Sequence, residues 1–316
     1  MNIVFSEQYV VDIGSHVFQT ETLGRVRDAL VAQGTVRPAA VVAPELVTWD
    51  ELALVHAPEY LEQTRSGDFR PADLARLEIR WSAGGVEACR LITGGTILAG
   101  RLALEAHRLL RPEAPDATAA PPLRLAAAAN IGGGFHHAFP AHGEGFCLYH
   151  DVAVAIRVLQ REGAITRAAV IDTDVHQGNG TAFIFEADPS VFTFSLYQEH
   201  NYPSLKLPGS LDVGLPDGAD DREYLRALEP ALPTVVASKP DLIFYMAGAD
   251  PYVEDQLGGL CLTLGGLRGR DFMVLSAARN AGIPVAIVLA GGYARRADDT
   301  VAIHVATIEE AIKLGA

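Results

Sequence analysis

Cysteine is scarce in this sequence, with three residues among 316. Cys89, Cys147 and Cys261 are far apart, odd in number and form no C-x-x-C pair, which argues against a disulfide framework. This cysteine usage fits a reducing compartment, since disulfides persist mainly outside the cytosol. We therefore expect a cytoplasmic protein.

Long apolar runs and clusters of basic residues are also missing. No apolar run reaches the length of a membrane span, and residues 1–7 lack the basic region and apolar core of a signal peptide. The net charge is −14 without any Lys/Arg-rich run, which argues against direct binding of nucleic acid. An acidic surface does tolerate a cationic partner, such as a lysine-bearing peptide or a polyamine.

What the sequence does contain is enough apolar material for a large core, with 49% hydrophobic residues. Apolar strand-like runs alternate with helical segments, which predicts a single α/β domain with a mainly parallel sheet and helices on both faces. The predicted strands cover residues 3–5, 123–129, 168–171, 191–196, 241–246 and 284–289. The predicted helices cover residues 58–65, 86–106, 151–163, 221–236, 267–281 and 298–314. Asp151 is predicted to cap the helix that extends to residue 163.

Three features of the connecting segments carry further expectations. Residues 111–122 form a Pro- and Ala-rich segment that we interpret as a surface loop and not as a domain boundary. Residues 197–220 form a long polar loop, and loops of that length in compact domains are usually functional or disordered. Gly94 and Gly95 should weaken the long helix or allow close packing there.

The most informative stretch is residues 170–180, where an apolar strand runs into a polar, glycine-rich segment. The spacing of Asp174 and His176 places both side chains on the same side of an extended segment. A carboxylate with an imidazole suits zinc, ferrous iron or cobalt. Alone, this pattern is more often a polar loop with a capping aspartate, so a metal site needs a third ligand from elsewhere.

Four strand ends carry unusual polar side chains flanked by glycines. In a parallel sheet the carboxyl ends of the strands meet at one edge, so these groups are expected to lie close together. The four sets are the tandem histidines His136 and His137; Asp172, Asp174, His176 and Asn179; Asp250; and Tyr293.

The chemistry of these groups fits metal-assisted hydrolysis of an amide. Asp174, His176 and Asp250 could form a three-ligand metal site with an open position, at which a metal activates water. One of the tandem histidines would take the proton of the water and pass a proton to the leaving group. Tyr293 could donate its hydroxyl to the oxyanion that develops.

The motifs that carry these residues resemble those of the histone deacetylase family in order and in spacing. The matching segments are residues 134–138, 172–180, 247–250 and 291–293, and the resemblance extends from about residue 55 to residue 293. The family has the arginase–deacetylase fold, a single α/β domain with a parallel sheet. The Gln-Gly-Asn-Gly variant at 177–180 and the segment 256–260 look most like class IV and its bacterial relatives.

The resemblance also implies a role for each matched residue. Asp174, His176 and Asp250 become zinc ligands, and Asp172 accepts the ring N–H of His136, the first of the two catalytic histidines. Tyr293 becomes the tyrosine that stabilises the oxyanion. The substrate channel includes Gly134, Gly145 and Phe146, and a structural potassium site would use Asp172, Asp174, His176, Ser195 and Leu196.

Asn179 departs from the pattern of many zinc-dependent members, which carry aspartate at this position. Asparagine can accept the N–H of His137 but brings no charge to stabilise an imidazolium. We therefore expect His137 to be neutral more readily, and so a competent base but a weaker proton donor.

The resulting expectation is a zinc-dependent amidohydrolase that removes acetyl or longer fatty acyl groups from lysine side chains of proteins. Ferrous iron in place of zinc stays open, as do an acylpolyamine or other small-molecule substrate and a non-catalytic acyl-lysine-binding scaffold. A ureohydrolase is disfavoured, because the arginase pattern binds two manganese ions through additional carboxylates. His142 and His150 are expected to be structural, Cys147 to be a small buried hydrophobe, and Tyr202 to lie at the channel rim.

Overall fold

The computed structural model describes residues 1–110 and 123–316, so the predicted surface loop at 111–122 lies outside the described residues. The described chain forms one eight-stranded sheet in the order β2-β1-β3-β8-β7-β4-β5-β6. Every neighbouring pair of strands in it is parallel. The predicted α/β fold with a mainly parallel sheet is confirmed.

The strands and helices of the described residues have the following bounds. The strands are β1 Asn2–Val4, β2 Val41–Val42, β3 Ala127–Asn130, β4 Ala168–Asp172, β5 Val191–Gln198, β6 Leu211–Leu215, β7 Leu242–Met246 and β8 Val285–Val288. The helices are α1 Glu21–Ala32, α2 Trp49–Leu52, α3 Pro58–Ser66, α4 Pro71–Leu77, α5 Ala83–Leu110, α6 Asp151–Arg161, α7 Asn179–Phe185, α8 Asp221–Leu228, α9 Ala231–Ala237, α10 Leu264–Ala281 and α11 Ala297–Gly315.

Helices cover both faces of the sheet. Successive strand residues point to opposite faces, so each central strand contributes side chains to two apolar cores. Ile243 and Tyr245 of β7 belong to one apolar core, together with residues of α1, α8, α9, α10 and α11. Leu242, Phe244 and Met246 of the same strand belong to the other core, with residues of α3, α5 and α6. The central strands are therefore buried on both sides, as expected for near-continuous apolar runs in a parallel sheet.

The two glycines in α5 allow close packing and do not interrupt the helix, which runs from Ala83 to Leu110. A Cβ atom at Gly94 would overlap with the backbone carbonyl oxygen of Glu45. One at Gly95 would overlap with the hydroxyl of Tyr9, which donates to Asn130 Oδ1 over 2.9 Å. Of the two expectations for these glycines, the structure shows close packing.

The segment from 197 to 237 differs from the expectation. β5 extends to Gln198 and β6 pairs with it along the sheet edge, so residues 197–220 are not one long loop. The predicted helix over 221–236 is two helices, with Pro230 at the start of the second. Proline removes a backbone donor and clashes with the preceding turn, which accounts for the break. The structure also contains β2, α1, α2 and α4, which the sequence interpretation did not include.

No helix among the described residues is long and apolar enough to cross a membrane.

Replacement of Gly94 by alanine tests the close packing of α5. Alanine has the higher helix propensity, but its Cβ would overlap with the backbone at Glu45, so α5 must shift. We expect Gly94→Ala to lower the free energy of unfolding by about 1–3 kcal/mol, measured by urea denaturation. Gly84→Ala in the same helix is the control, since nothing lies within 4 Å of its added Cβ. This control should be neutral or stabilising by up to about 1 kcal/mol, and equal effects of the two substitutions would contradict the packing argument.

Candidate active site

The site lies beyond the carboxyl ends of β3, β8, β7 and β4, four adjacent strands in the centre of the sheet. The loop after β3 carries the tandem histidines. Asp172 ends β4, Asp174 and His176 lie in the loop that follows, and Asn179 begins α7. Asp250 follows β7 and Tyr293 follows β8. The structure thus brings together all four sets of polar residues that the sequence placed at strand ends.

Asp174, His176 and Asp250 form a buried cluster in which one ligand atom from each lies within 4.8 Å of the other two. His176 Nδ1 lies 2.9 Å from Asp174 Oδ1 and 3.4 Å from Asp250 Oδ2. Asp174 Oδ2 accepts the backbone N–H of Gly291 over 2.9 Å, and Asp250 Oδ1 accepts that of Val175 over 2.8 Å. These N–H bonds hold both carboxylates, and the other oxygen of each, Asp174 Oδ1 and Asp250 Oδ2, lies near His176 Nδ1.

Two observations show that this cluster fits a cation. Asp250 Oδ2 is buried and, with His176 Nδ1 at 3.4 Å, accepts no well-formed hydrogen bond from the described residues, which is rare for a buried carboxylate oxygen. Burial and the charge of Asp174 raise the pKa of the Asp250 carboxyl to about 8, so the two carboxylates repel each other. A cation between them would remove that repulsion and occupy the unpaired oxygen.

His136 is held by a carboxylate at the carboxyl end of β4, which two other strands separate from β3 in the sheet. Its Nδ1 lies 2.7 Å from Asp172 Oδ2, in the buried geometry that the resemblance implied. Burial alone would lower the pKa of His136, but the charges of Asp172 and Asp174 outweigh it and raise the pKa to about 9. His136 therefore favours the protonated form in the metal-free protein.

His137 is in the opposite electrostatic situation. Its Nδ1 lies 2.7 Å from Asn179 Oδ1, a neutral acceptor. Burial and the nearby rings of His136 and His176 hold the pKa of His137 well below its usual range. The hydrogen bond to Asn179 acts in the other direction and raises this pKa, so the expected effect of asparagine in place of aspartate stays a prediction.

Tyr293 is positioned by a carboxylate that the sequence interpretation missed. Asp255 Oδ2 accepts the backbone N–H of Tyr293 over 2.6 Å, and Asp255 Oδ1 accepts those of Leu257 and Gly258. Burial and the carboxylates of Asp174 and Asp250 raise the pKa of the Tyr293 phenol well above its usual range. The phenol therefore keeps its proton and stays available as a donor.

The glycine-rich loop before the tandem histidines is anchored by Asp151. Its carboxylate accepts the backbone N–H groups of Gly134 and Phe135 and the hydroxyl of Thr96, the last over 2.6 Å. The sequence interpretation assigned Asp151 as the cap of α6, and this assignment was wrong. The cap is His150, whose Nδ1 accepts the N–H of Ala153 over 3.1 Å, because the Asp151 side chain turns toward the loop.

A cavity of about 190 Å³ opens beside Asp174 and His176, which form part of its lining. Gly134, Gly145 and Phe146 line it, as the resemblance implied for the substrate channel. Gly145 has a positive φ, and a Cβ there would lie 2.8 Å from the His137 ring, so glycine is required. Phe146 packs edge-on against Tyr293, with ring centroids 5.8 Å apart.

Several remaining residues lie where the sequence interpretation expected them. Cys147 is buried and also lines the cavity, and His150 Nε2 lies 2.9 Å from Thr181 Oγ1 inside the protein. Tyr202 lines the cavity and packs perpendicular to the His137 ring, with centroids 4.9 Å apart. His16, which had no supporting pattern, packs edge-on against Phe146.

The residues of the predicted potassium site lie on adjacent strands. Ser195 of β5 pairs in register with Asp172 of β4, and Leu196 follows it inside the sheet. Asp174 and His176 follow in the loop after β4. Potassium binding there stays a prediction.

Comparisons with known proteins agree with this geometry. The family model for the histone deacetylase domain matches residues 16–308. An uncharacterized protein of Picosynechococcus sp. is 42% identical over 96% of this chain and 95% of its own length. Histone deacetylase 2 of Arabidopsis thaliana is 30% identical over 93% of this chain and 74% of its own length.

Two further comparisons extend the likeness. The acetoin utilization protein AcuC of Bacillus subtilis is 29% identical over 79% of this chain and 65% of its own length. The crystal structure of the HDA15 HD domain superposes with a TM-score of 0.76, at 24% identity, over 99% of this chain and 91% of that chain. That structure shows a shared fold, and the matched domain shows the family. The chain belongs to the histone deacetylase domain family.

Proposed function

We propose that this protein is a zinc-dependent deacylase that hydrolyses the amide of acylated lysine side chains in proteins or peptides. Family membership supports a hydrolytic deacetylase in general. The observation that carries the finer proposal is the buried Asp250 Oδ2, which accepts no hydrogen bond from the described residues, beside Asp174 and His176 and below a cavity that the tandem histidines line. Two carboxylates and one imidazole that leave a position open are the ligand set of a catalytic zinc ion.

Asp174, His176 and Asp250 would hold the metal ion. When bound, a divalent cation lowers the pKa of a water molecule and polarises the carbonyl of the scissile amide. The ligand set also accepts ferrous iron, since carboxylate and imidazole bind both ions.

The tandem histidines move the protons in this proposal. His137, neutral and hydrogen-bonded through Nδ1 to Asn179, accepts the proton of the attacking water at Nε2. The carboxylate of Asp172, paired with His136 Nδ1, would stabilise positive charge on this ring beside the developing tetrahedral centre. The proton taken up by His137 is then available to the leaving amine, which departs as a neutral lysine side chain.

Tyr293 and the apolar channel complete the proposed site. The protonated phenol of Tyr293 donates to the oxygen that becomes negative during the attack. Phe146 and Phe18 line the cavity and exclude water from the lysine stem and the acyl group. A second apolar cavity of about 40 Å³ adjoins the first, and Phe18 and Phe146 line both. This additional apolar space is a reason to include acyl groups longer than acetyl among the substrates tested.

An acylated polyamine is the second candidate substrate. The exposed Glu78 lines the same cavity, and a carboxylate there attracts an ammonium group on the distal part of the substrate. A lysine peptide with basic neighbours would meet the same charge. The two substrate classes are therefore separated by experiment and not by the charge of the cavity.

Metal binding by the cluster can be measured without any substrate. We expect zinc added to the metal-free protein to raise its unfolding temperature. The free energy of unfolding should rise by about 2.7 kcal/mol when the free zinc concentration is about 100 times its Kd. Asp250→Asn should abolish this shift. The metal-free Asp250→Asn protein should be at least as stable as the metal-free wild type, because repulsion from Asp174 is removed. The exposed Glu254→Gln serves as the control, and a full zinc shift in Asp250→Asn would contradict the assignment.

Turnover is tested with a panel of acyl-lysine peptides and acylpolyamines, from acetyl to myristoyl. We expect hydrolysis that a chelator removes and zinc restores, with peptides preferred over polyamines. Tyr293→Phe should lower kcat by about 100- to 1000-fold with little change in KM, because the lost hydroxyl acts in the transition state. Asp174→Ala should abolish turnover. A metal-loaded wild type without turnover on the whole panel would support the non-catalytic scaffold instead.

The neutral partner of His137 predicts a change in pH dependence. In Asn179→Asp, the new carboxylate stabilises the imidazolium and raises the pKa of His137. His137 must be unprotonated to act as the base, so the acidic limb of the pH–rate profile should move to higher pH. Measurement of kcat/KM across the acidic range decides this, and an unmoved limb would refute the role assigned to Asn179.

A further inference from the structure

Glu144 is a partly buried carboxylate that touches the far side of Asn179, outside the set of residues assigned above. Asn179 Nδ2 donates to Glu144 Oε1 over 2.8 Å, and the Glu144 side chain is 16% exposed. Its other oxygen lies 3.4 Å from His142 Nε2, and the hydroxyl of Tyr202 is also bonded to the carboxylate. A continuous chain of hydrogen bonds thus joins Glu144 to His137 through one carboxamide.

The two neighbours of the Asn179 carboxamide decide which way it points. A carboxylate only accepts hydrogen bonds, so Glu144 requires the amide nitrogen on its side. At the other end, the backbone N–H of Gly180 donates to Asn179 Oδ1 over 3.1 Å. In a reversed carboxamide, the oxygen of Asn179 would face the Glu144 carboxylate and its NH₂ group would face the backbone N–H of Gly180. Both hydrogen bonds would then be lost.

The orientation of Asn179 in turn sets the tautomer of His137. Asn179 Oδ1 lies 2.7 Å from His137 Nδ1, and an oxygen can only accept there, so Nδ1 carries the ring proton. The remaining nitrogen, Nε2, then has a free lone pair. That form of the ring is the one that can accept a proton in the cavity.

Glu144 also explains why residue 179 is neutral. An aspartate at 179 would place a second carboxylate where the Asn179 amide nitrogen now lies, 2.8 Å from Glu144 Oε1. Two carboxylates at that distance cannot both be ionised without a large cost. Burial raises the pKa of the Glu144 carboxyl, but hydrogen bonds from its three neighbours outweigh it and lower that pKa, so Glu144 favours its ionised form. A charged aspartate at 179 would lie beside this charge at a cost in stability.

We propose that Glu144 is a positioning residue: it orients the Asn179 carboxamide so that His137 keeps an unprotonated Nε2, and it requires a neutral side chain at 179. This inference rests on the function proposed above. Glu144 positions His137 through Asn179 and is not among the residues that line the cavity. The carboxylate also bonds Tyr202, whose ring packs against His137, and so holds the imidazole from a second side.

The first test compares Glu144→Leu with Glu144→Gln, two side chains of similar size. Leucine cannot accept from Asn179, whereas glutamine can accept through its amide oxygen. We expect Glu144→Leu to lower kcat at least about tenfold with KM changed less than about twofold, and Glu144→Gln to recover most of the loss. Glu87→Leu, at an exposed position of α5, is the control for a lost surface charge.

The tautomer of His137 gives a readout that needs neither metal nor turnover. Nitrogen NMR of histidine-labelled, metal-free protein, assigned with a His137→Gln sample, should show Nδ1 protonated and Nε2 unprotonated in the wild type. Glu144→Leu should show a second tautomer or exchange broadening, which a merely structural role would not produce. A Glu144→Leu protein with wild-type kcat and a wild-type His137 spectrum would overturn the proposal.

The second test is a double-mutant cycle between positions 144 and 179, followed by thermal unfolding of the metal-free protein. Asn179→Asp alone should lower the unfolding temperature, and addition of Glu144→Gln should restore most of the loss. Additive effects of the two changes would contradict the coupling, and this cycle decides the matter even if Glu144→Leu does not fold. A wild type that hydrolyses no substrate of the panel would end the proposed function, while the tautomer and the cycle would still test Glu144.

Discussion

The burial of two carboxylates side by side, Asp174 and Asp250, is the constraint on which the site depends. Moving an ionised carboxylate out of water is expensive unless hydrogen bonds and an opposite charge compensate it. Backbone N–H groups of Val175 and Gly291 supply part of this compensation, which requires the loops after three strands to approach closely. A Cβ at Gly291 would overlap with Asp250 Oδ2, so the glycines beside the site follow from the burial of the charges.

The centre of the fold could be predicted from the sequence because its strands are buried on both faces. β4 and β7 appear as continuous apolar runs that end at polar, glycine-flanked residues, and their bounds agree with the prediction to within one residue. β6 lies at the sheet edge with mixed polarity in Leu211–Leu215, which gives no apolar run to detect. β2 has two residues and takes its strand geometry from pairing with β1, a contact that no local pattern encodes.

The same distinction separates the site residues that could be predicted from those that could not. Residues that follow central strands were found because position and residue type both point to chemistry. Asp151 and Asp255 act through backbone N–H groups of distant loops, so their function depends on tertiary contacts and their sequence context is that of a cap or a turn. The ring of His16 contacts that of Phe146, which lies 130 positions away in the chain, and no local sequence pattern predicts this contact.

The carboxylates of Asp151, Asp255 and Glu144 share one property. Each accepts hydrogen bonds from N–H groups that position the site, and none has a role at the reacting atoms. Asp151 holds the glycine-rich loop, Asp255 holds the Tyr293 loop, and Glu144 holds the carboxamide of Asn179. Together with Asp174 and Asp250, they concentrate negative charge around a small cavity. His137 needs an oxygen to accept its N–H but needs no additional anion, because each further buried carboxylate would raise the pKa of the others. Asn179 meets both requirements, because its neutral oxygen accepts the N–H of His137 while the charge lies on Glu144, one hydrogen bond farther from the ring.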